Sequence, residues 1–322
     1  MKYAVLGRTG LRVSRVGCGG GGIGQVWGPT TEAESVRAIH RALELGVNFF
    51  DVAPGYGYGK AEEVLGRALH GRQEQVVVAT KVRLMAEEMH DVAGAVRTSV
   101  EASLRRLRRE TVDVLHVHNR FTPRRGDLPH SLSADDALGP VLDAYRQMQH
   151  TGKTRFIGIS AMEPDVPTVR RIMTSGHFDT VLAYYNLLNW TAQEPAPPGV
   201  SLWDNGQIIP LATSLGMGVI GIRSHAAGAL SQHIDRPIPP ETLLAHDVAS
   251  VQTLGFLLEG PIRTLAQAAM VFCLMNRDIA TTVPGVKNVA EMEELVGCVA
   301  LPPIPPQHLR RLRELYARGF RG

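Results

Sequence analysis

Short apolar runs alternate with longer segments of helical periodicity along most of this chain. The apolar runs number eight and fall at residues 13–18, 47–51, 76–79, 112–118, 156–159, 181–185, 218–222 and 279–283. Between the third and fourth runs, Val96, Val100 and Leu104 recur at helical spacing. Alternating strand and helix signals are typical of repeated βα units, whose strands pair in parallel. The pattern therefore predicts an α/β fold.

Polar residues stand where three of these runs stop. Asp51 ends the second run, Lys81 follows the third and His118 ends the fourth, with separations of 30 and 37 residues. In a closed barrel all strand carboxyl ends open on one rim, whereas an open doubly wound sheet disperses some of them. Eight runs and one cluster of polar strand ends predict a (β/α)8 TIM barrel, formed by residues 1–322 as a single domain.

Composition narrows the function classes. Of the 322 residues 44% are hydrophobic and 20% charged, which excludes a disordered or fibrous chain. A net charge of +3 is too small to predict nucleic-acid binding, and an anionic small molecule suits it better. Three scattered cysteines predict a reducing cytoplasm, and no apolar run is long enough to predict a membrane span or export. The oligomeric state stays open.

Two glycine-rich segments resemble nucleotide-binding motifs without meeting their requirements. Gly17, Gly19 and Gly22 match G-x-G-x-x-G, but helical periodicity starts only near Thr31, so a Rossmann site is not expected. The segment ending in Gly59 and Lys60 lacks the first glycine and the Ser/Thr of a phosphate loop.

The polar strand ends, with one nearby tyrosine, form a candidate proton-transfer group. Tyr56 lies five residues after Asp51, and a phenol needs a neighbouring positive charge to exchange its proton easily near neutral pH. Lys81 can supply that charge, Asp51 can pair with Lys81, and His118 can orient a substrate oxygen. Such a set suits carbonyl reduction, in which a hydride reaches carbon while an acid protonates oxygen.

These segments resemble the aldo-keto reductase superfamily of (β/α)8 barrels over nearly the whole chain. Residues 6–14 resemble its N-terminal β-hairpin, which closes the bottom of the barrel. The resemblance implies that Asp51, Tyr56, Lys81 and His118 form a catalytic tetrad with the tyrosine as general acid/base. It implies an NAD(P)-dependent oxidoreductase acting on aldehydes, ketones or sugar hemiacetals, with a weaker likeness to sugar and pyridoxal dehydrogenases.

The resemblance also implies a dinucleotide site without a Rossmann domain. The expected cofactor-binding residues are Ser160, Tyr185, Arg223, Ser224, Gly228, Gly285, Lys287, Glu291 and Glu294. Ala161, Leu182 and Leu295 replace polar residues usual in the family. NADP is expected on the family's habit, with NAD as the alternative, because Lys287 would attract a 2′-phosphate and Glu291 would repel one. Trp27 and Asn119 are the expected substrate contacts.

Two alternatives remain open at this stage. A non-enzymatic dinucleotide-binding regulatory subunit would keep the rim residues for binding alone. A metal-dependent barrel hydrolase is suggested by His116 and His118, which project to one side of a strand, but it needs further ligands at other strand ends.

Overall fold

A ring of eight parallel strands surrounded by helices makes up the computed structural model, which describes residues 1–72, 76–162, 165–200, 203–231 and 234–320. The strands are β1 (Tyr3–Val5), β2 (Arg12–Ser14), β3 (Cys18–Gly19), β4 (Phe49–Asp51), β5 (Val77–Val82), β6 (Val112–Val117), β7 (Thr154–Ala161), β8 (Thr180–Tyr184), β9 (Gly218–Ile222) and β10 (Thr281–Thr282). Strands β3 to β10 pair in chain order, and parallel bridges from Val16 to Thr282 and from Gly19 to Gly285 close the ring. The predicted barrel is confirmed.

Helices follow the barrel strands and cover their outer faces. They are α1 (Gly20–Ile23), α2 (Glu32–Glu44), α3 (Lys60–Ala68), α4 (Val92–Leu107), α5 (Ala134–Asp136), α6 (Leu142–His150), α7 (Val166–Thr174), α8 (Ile208–Ser214), α9 (Leu243–Val251), α10 (Leu265–Met275), α11 (Val289–Gly297) and α12 (Pro306–Ala317). Thr31 and Asn288 accept hydrogen bonds from the first turns of α2 and α11, as expected of N-cap residues. These caps fix where the loops before α2 and α11 end.

The antiparallel hairpin of β1 and β2 closes the bottom of the barrel. Leu6 and Val13 are fully buried there among apolar side chains of the barrel interior, such as Phe49. Gly7 has φ +49°, and a Cβ at this position would lie 2.3 Å from the backbone nitrogen of Gly218. The hairpin turn therefore requires glycine to approach β9 so closely.

One boundary differs from the prediction. The apolar run 13–18 is not a single strand, because it contains the end of β2 and the start of β3. Between them, Ser14 Oγ donates to the backbone carbonyl of Val16 at 2.7 Å. An apolar run cannot reveal this break, since both pieces are buried.

Candidate active site

A cleft of about 710 Å³ opens at the carboxyl ends of the barrel strands. Asp51, Lys81, Ser160, Leu182 and Ile222 form part of its floor, each at or near the end of a different strand. Parallel strands in a ring bring residues far apart in sequence around one mouth.

Four polar side chains meet on the β4–β6 side of this cleft. Lys81 Nζ lies 2.7 Å from Asp51 Oδ2 and donates a second hydrogen bond, at 2.8 Å, to the carbonyl of Val52. The same nitrogen lies 5.0 Å from the centre of the Tyr56 ring. The rings of Tyr56 and His118 meet edge to face, with centres 6.0 Å apart. All four residues line the cleft.

The loop that carries Tyr56 is held tightly against the start of the barrel. It runs between β4 and α3, and the backbone N–H of Ala61 donates to the carbonyl of Tyr56 at 3.2 Å. A Cβ at Gly24 would lie 2.9 Å from Cβ of Tyr56. Glycine at position 24 thus lets the segment after β3 support the tyrosine.

Burial and charge set the protonation of these groups. Burial alone would lower the pKa of Lys81, but Asp51 and Tyr56 raise it above its ordinary value, so Lys81 is an ammonium. Burial raises the pKa of Asp51, and the Lys81 charge acts against that rise. Burial, with the charges of Lys81 and Arg83, lowers the pKa of His118 to about 3. The imidazole is therefore neutral at physiological pH.

A strap formed by residues 223–231 and 234–236 crosses the other side of the cleft. The guanidinium groups of Arg223 and Arg236 each lie 5.0 Å from the ring of Trp27, which comes from the segment after β3. Asp235 of the strap is ion-paired with Lys287, which follows β10. Trp27 and Lys287 thus both contact the strap.

The far end of the cleft, around the start of α11, carries mixed charges. Besides its pair with Asp235, Lys287 Nζ lies 3.8 Å from Glu291 Oε1. Glu291 also accepts the backbone N–H of Lys287 at 2.7 Å. Glu294 accepts a hydrogen bond of 2.5 Å from the Thr264 hydroxyl. Three carboxylates therefore lie in the part of the cleft that contains this one lysine.

Comparisons with known proteins decide the family. The model of the aldo/keto reductase family matches residues 15–317. The chain belongs to this family. It is 32% identical to L-galactose dehydrogenase of Arabidopsis thaliana over 93% of this chain and 88% of that protein, and 24% identical to pyridoxal 4-dehydrogenase of Microbacterium luteolum over 90% and 91%. In fold it is similar to the holo form of an aldo-keto reductase from Bacillus halodurans, with TM-score 0.73, 23% identity and coverage of 98% and 96%.

This aldo-keto reductase is thus an NAD(P)-dependent oxidoreductase of carbonyl, alcohol or sugar substrates. The residues of the cleft fit a nicotinamide dinucleotide. Ser160 offers a hydroxyl on the floor of the cleft. Burial, and secondly the nearby charge of Arg223, lower the pKa of Arg236, so the two arginines lie close to each other. Two guanidinium groups held together suit the two negative charges of a pyrophosphate.

Most of the expected cofactor-binding residues line the cleft. These are Ser160, Arg223, Ser224, Gly228, Gly285, Lys287, Glu291 and Glu294. Tyr185 is the one expected cofactor-binding residue outside the described lining of the cleft. Its ring is stacked on Phe272 at a centre distance of 5.2 Å, because the residue after β8 turns outward into the helical layer.

Asn119, an expected substrate contact, is likewise outside the described lining of the cleft. Its side chain is buried and fully engaged with backbone groups: Oδ1 accepts from Leu84 N at 2.9 Å, while Nδ2 donates to the carbonyls of Leu84 and His130, each at 2.7 Å. It therefore ties together two loops of the rim instead of facing the cleft. Trp27 does line the cleft, and both strap arginines lie 5.0 Å from its ring.

Sequence reasoning missed several charged residues of the cleft, among them Arg83, Arg120, Asp235 and Arg236. Arg83 and Arg120 each stand two residues beyond a tetrad member, Lys81 and His118 respectively. Side chains two residues apart on an extended segment face the same side, so the strand-end rule could have found both. Asp235 and Arg236 lie in a loop, where no regular alternation of side chains indicates which residues face the cleft.

His116 lies on β6, and His118 directly follows that strand. His116 lies within the barrel, fully buried, with Nε2 3.0 Å from the Thr180 hydroxyl. Within the described ranges, no three His, Cys, Asp or Glu side chains are placed to hold a metal ion. The helices in the same ranges include none with the length and apolar character needed to cross a membrane.

Buried histidines make this enzyme less stable at acidic pH. Burial lowers the pKa of His116 well below its ordinary value and that of His225 to about 4. The unfolded chain therefore binds more protons than the folded one below pH of about 6.5, and stability falls on acidification by up to about 1.4 kcal/mol per pH unit for each such histidine.

We expect His116→Gln to remove the contribution of one histidine to the slope of stability against pH. Urea unfolding at a series of pH values between neutral and mildly acidic measures it as a shallower slope. Thr180→Val is the control, since it deletes the hydrogen bond to His116 but keeps the titrating ring. Equal slopes in wild type and His116→Gln would show that this histidine does not titrate on unfolding.

Proposed function

We propose that this enzyme transfers a hydride between a nicotinamide dinucleotide and an aldehyde or sugar hemiacetal, with Tyr56 as the proton donor and acceptor. The observation that carries the proposal is the cluster of Tyr56, Lys81, Asp51 and His118 on one wall of the cleft. The similarity to a sugar dehydrogenase over 93% of the chain supports the substrate class.

Each tetrad residue has a distinct task in this proposal. The bound dinucleotide supplies or accepts the hydride at the substrate carbon. Tyr56 gives its phenolic proton to the substrate oxygen in reduction and takes it back in oxidation. Lys81 stabilises the phenolate form electrostatically, because its ammonium lies close to the Tyr56 ring in a buried setting.

Asp51 and His118 prepare the site for this transfer. Asp51 keeps the buried Lys81 ammonium in place through the 2.7 Å contact. His118 is neutral, so its ring can donate one hydrogen bond to the substrate oxygen without competing with Tyr56 as an acid. The edge-to-face contact of the two rings keeps both side by side in the lining of the cleft.

We further propose that NAD is preferred to NADP, which reverses the expectation from the sequence. Lys287, the cation expected to attract a 2′-phosphate, is already paired with Asp235 and lies close to Glu291. Carboxylates suit the free hydroxyls of a ribose, whereas they repel a phosphate.

Glu291→Gln is expected to improve NADP affinity by about 5- to 10-fold, because it removes one charge and keeps the shape of the side chain. Equilibrium binding of both dinucleotides measures the change. Glu293→Gln on the same helix is the matched control, since Glu293 pairs with Arg41 away from the cleft. A wild-type enzyme that already binds NADP more tightly would contradict the proposal.

The first experiment follows the absorbance of the reduced nicotinamide. NADH and NADPH are offered with a panel of aldehydes and ketones, and NAD and NADP with sugars and pyridoxal. Turnover of a sugar or aldehyde is the expected result. Tight dinucleotide binding without turnover of any member would instead favour the regulatory alternative.

A further inference from the structure

A buried carboxylate lies behind the tetrad, on the outer side of the barrel, and the mechanism above does not use it. Glu62 belongs to the first turn of α3 and has no exposed surface. Its Oε1 accepts a hydrogen bond from the Thr80 hydroxyl at 2.6 Å, and its Oε2 accepts one from Arg106 Nε at 2.7 Å. Each carboxylate oxygen thus has a partner, one from β5 and the other from α4.

The hydrogen bond from Thr80 connects Glu62 to the strand that carries Lys81. Thr80 and Lys81 are neighbours on β5, so their side chains point to opposite faces of the strand. Lys81 lines the cleft, and its Nζ lies 5.0 Å from the centre of the Tyr56 ring. Thr80 is fully buried on the other face, where it bonds α3. The helix is therefore tied to the stretch of backbone that sets the position of Lys81.

The first turn of α3 is also continuous with the loop that carries Tyr56. The backbone N–H of Ala61 in this turn donates to the carbonyl of Tyr56 at 3.2 Å. Gly59, which precedes the helix, has φ +92°, and a Cβ at this position would lie 2.7 Å from Cδ of Arg106. Glycine thus lets the stem of Arg106 pack directly on the tyrosine loop, while the Arg106 guanidinium bonds Glu62.

We propose that Glu62 is a positioning residue for proton transfer: through Thr80 and Arg106 it sets the spacing between the Tyr56 phenol and the Lys81 ammonium. This inference rests on the proposed function, because it assumes that Tyr56 exchanges a proton with the substrate. Glu62 itself is outside the described lining of the cleft, so it acts through the two residues that it holds. The attraction between an ammonium and a phenolate weakens as their separation grows, so a displaced Tyr56 would give up its proton less readily.

Thr80→Val breaks this connection at nearly constant shape, and Thr80→Ser keeps the hydroxyl. We expect Thr80→Val to lower kcat for oxidation of the best sugar or alcohol by about 10- to 100-fold, the effect of a misplacement of about 1 Å. The rising limb of kcat against pH should move up by about half a pH unit, because about 1 Å more between unit charges about 5 Å apart weakens their attraction by that amount at a dielectric constant of about 20. Dinucleotide affinity should stay at the wild-type value, and Thr80→Ser should restore both kcat and the profile.

Glu62→Gln tests the carboxylate itself. The amide keeps the shape of the side chain, but it has one accepting oxygen and no charge, so it cannot hold Thr80 and Arg106 as the carboxylate does. We expect the same direction of change in kcat and in the pH profile as in Thr80→Val. This variant also keeps the inference testable if Thr80→Val fails to fold.

Asp113→Asn is the matched control, because Asp113 is a second buried carboxylate that joins an arginine to β5. Its Oδ1 accepts a hydrogen bond from Arg155 at 2.6 Å, and its Oδ2 accepts the backbone N–H of Val78 at 2.9 Å. Val78 lies near the amino end of β5, away from the cleft at the carboxyl ends. Asp113→Asn should lower the midpoint of urea unfolding, as the Glu62 variant does, yet keep the wild-type kcat and pH profile.

Lower stability with an unmoved pH profile in Thr80→Val and Glu62→Gln, or an equal movement in Asp113→Asn, would overturn the inference and leave the proposed function intact. Titration with NAD counts the folded sites in each preparation, so that kcat refers to intact enzyme.

A spectroscopic titration keeps the test independent of turnover. The ultraviolet absorbance of tyrosinate is followed against pH for the wild type and for Thr80→Val, each after subtraction of the same protein carrying Tyr56→Phe. We expect ionisation of the Tyr56 phenol to require higher pH in Thr80→Val. Identical curves would overturn the inference, whereas absence of turnover in the wild type would count separately against the proposed function.

Discussion

Replacing Tyr56 by phenylalanine is expected to lower kcat by about 10²- to 10⁴-fold, the range typical of losing a general acid. The substitution removes one oxygen from a half-buried ring and keeps its edge-to-face contact with His118. Dinucleotide affinity should stay close to that of the wild type, because the proposed task of the phenol concerns the substrate oxygen. Steady-state kinetics and equilibrium titration with NAD measure the two effects separately.

A neighbouring tyrosine provides a matched control for this experiment. Tyr58 lies two residues further along the same loop, but its side chain is fully exposed. Tyr58→Phe should therefore leave both kcat and cofactor affinity unchanged. Normal turnover by Tyr56→Phe would show that another group supplies the proton, and an equal loss in the Tyr58 variant would point to a general effect on the loop.

The barrel and the meeting of the polar strand ends at one cleft could be predicted because both depend on periodic features of the sequence. Buried parallel strands must be apolar, and the rim of a barrel collects whatever polar residues end them. Asp51, Lys81 and His118 meet these conditions, and the structure places them around one cleft. The same rule, extended to the residues two positions after Lys81 and His118, would also have predicted Arg83 and Arg120 as residues of the cleft.

Side-chain direction in the loops could not be predicted in the same way. Asn119 follows His118 directly, so it is near the cleft in sequence, yet its amide bonds the backbone of Leu84 and His130. Tyr185 leaves the end of β8 on the outer side and stacks on Phe272 of α10. Both outcomes depend on partners that are remote in sequence, and no local pattern records them.

The strap places a carboxylate, Asp235, beside Lys287, and the sequence alone does not predict this contact. From the sequence alone, Lys287 favours binding of a 2′-phosphate and Glu291 opposes it, and the sequence does not show which side chains these two residues contact. The ion pair with Asp235, 52 residues away, changes that balance, since it adds a second carboxylate to the surroundings of the lysine. Cofactor selectivity is thus a property of the assembled cleft.

Lys81→Met is expected to destabilise the protein by about 3 to 5 kcal/mol, because it leaves the Asp51 carboxylate buried without its counter-charge. Asp51 is only 3% exposed, and its Oδ1 has no hydrogen-bond partner within the described structure. The loss appears as a lower midpoint in urea unfolding. Activity should fall with it, since the charge that stabilises the Tyr56 phenolate is gone.

The double variant Asp51→Asn with Lys81→Met separates these two effects. Without either charge, much of the lost stability should return, because no buried charge is left unpaired, whereas turnover should stay as low as in Lys81→Met. This variant also keeps the test informative if Lys81→Met fails to fold. A double variant as unstable as the single one would show that packing around the lysine stem, and not its charge, stabilises this part of the barrel. Recovery of turnover would show that Tyr56 needs no ammonium beside it.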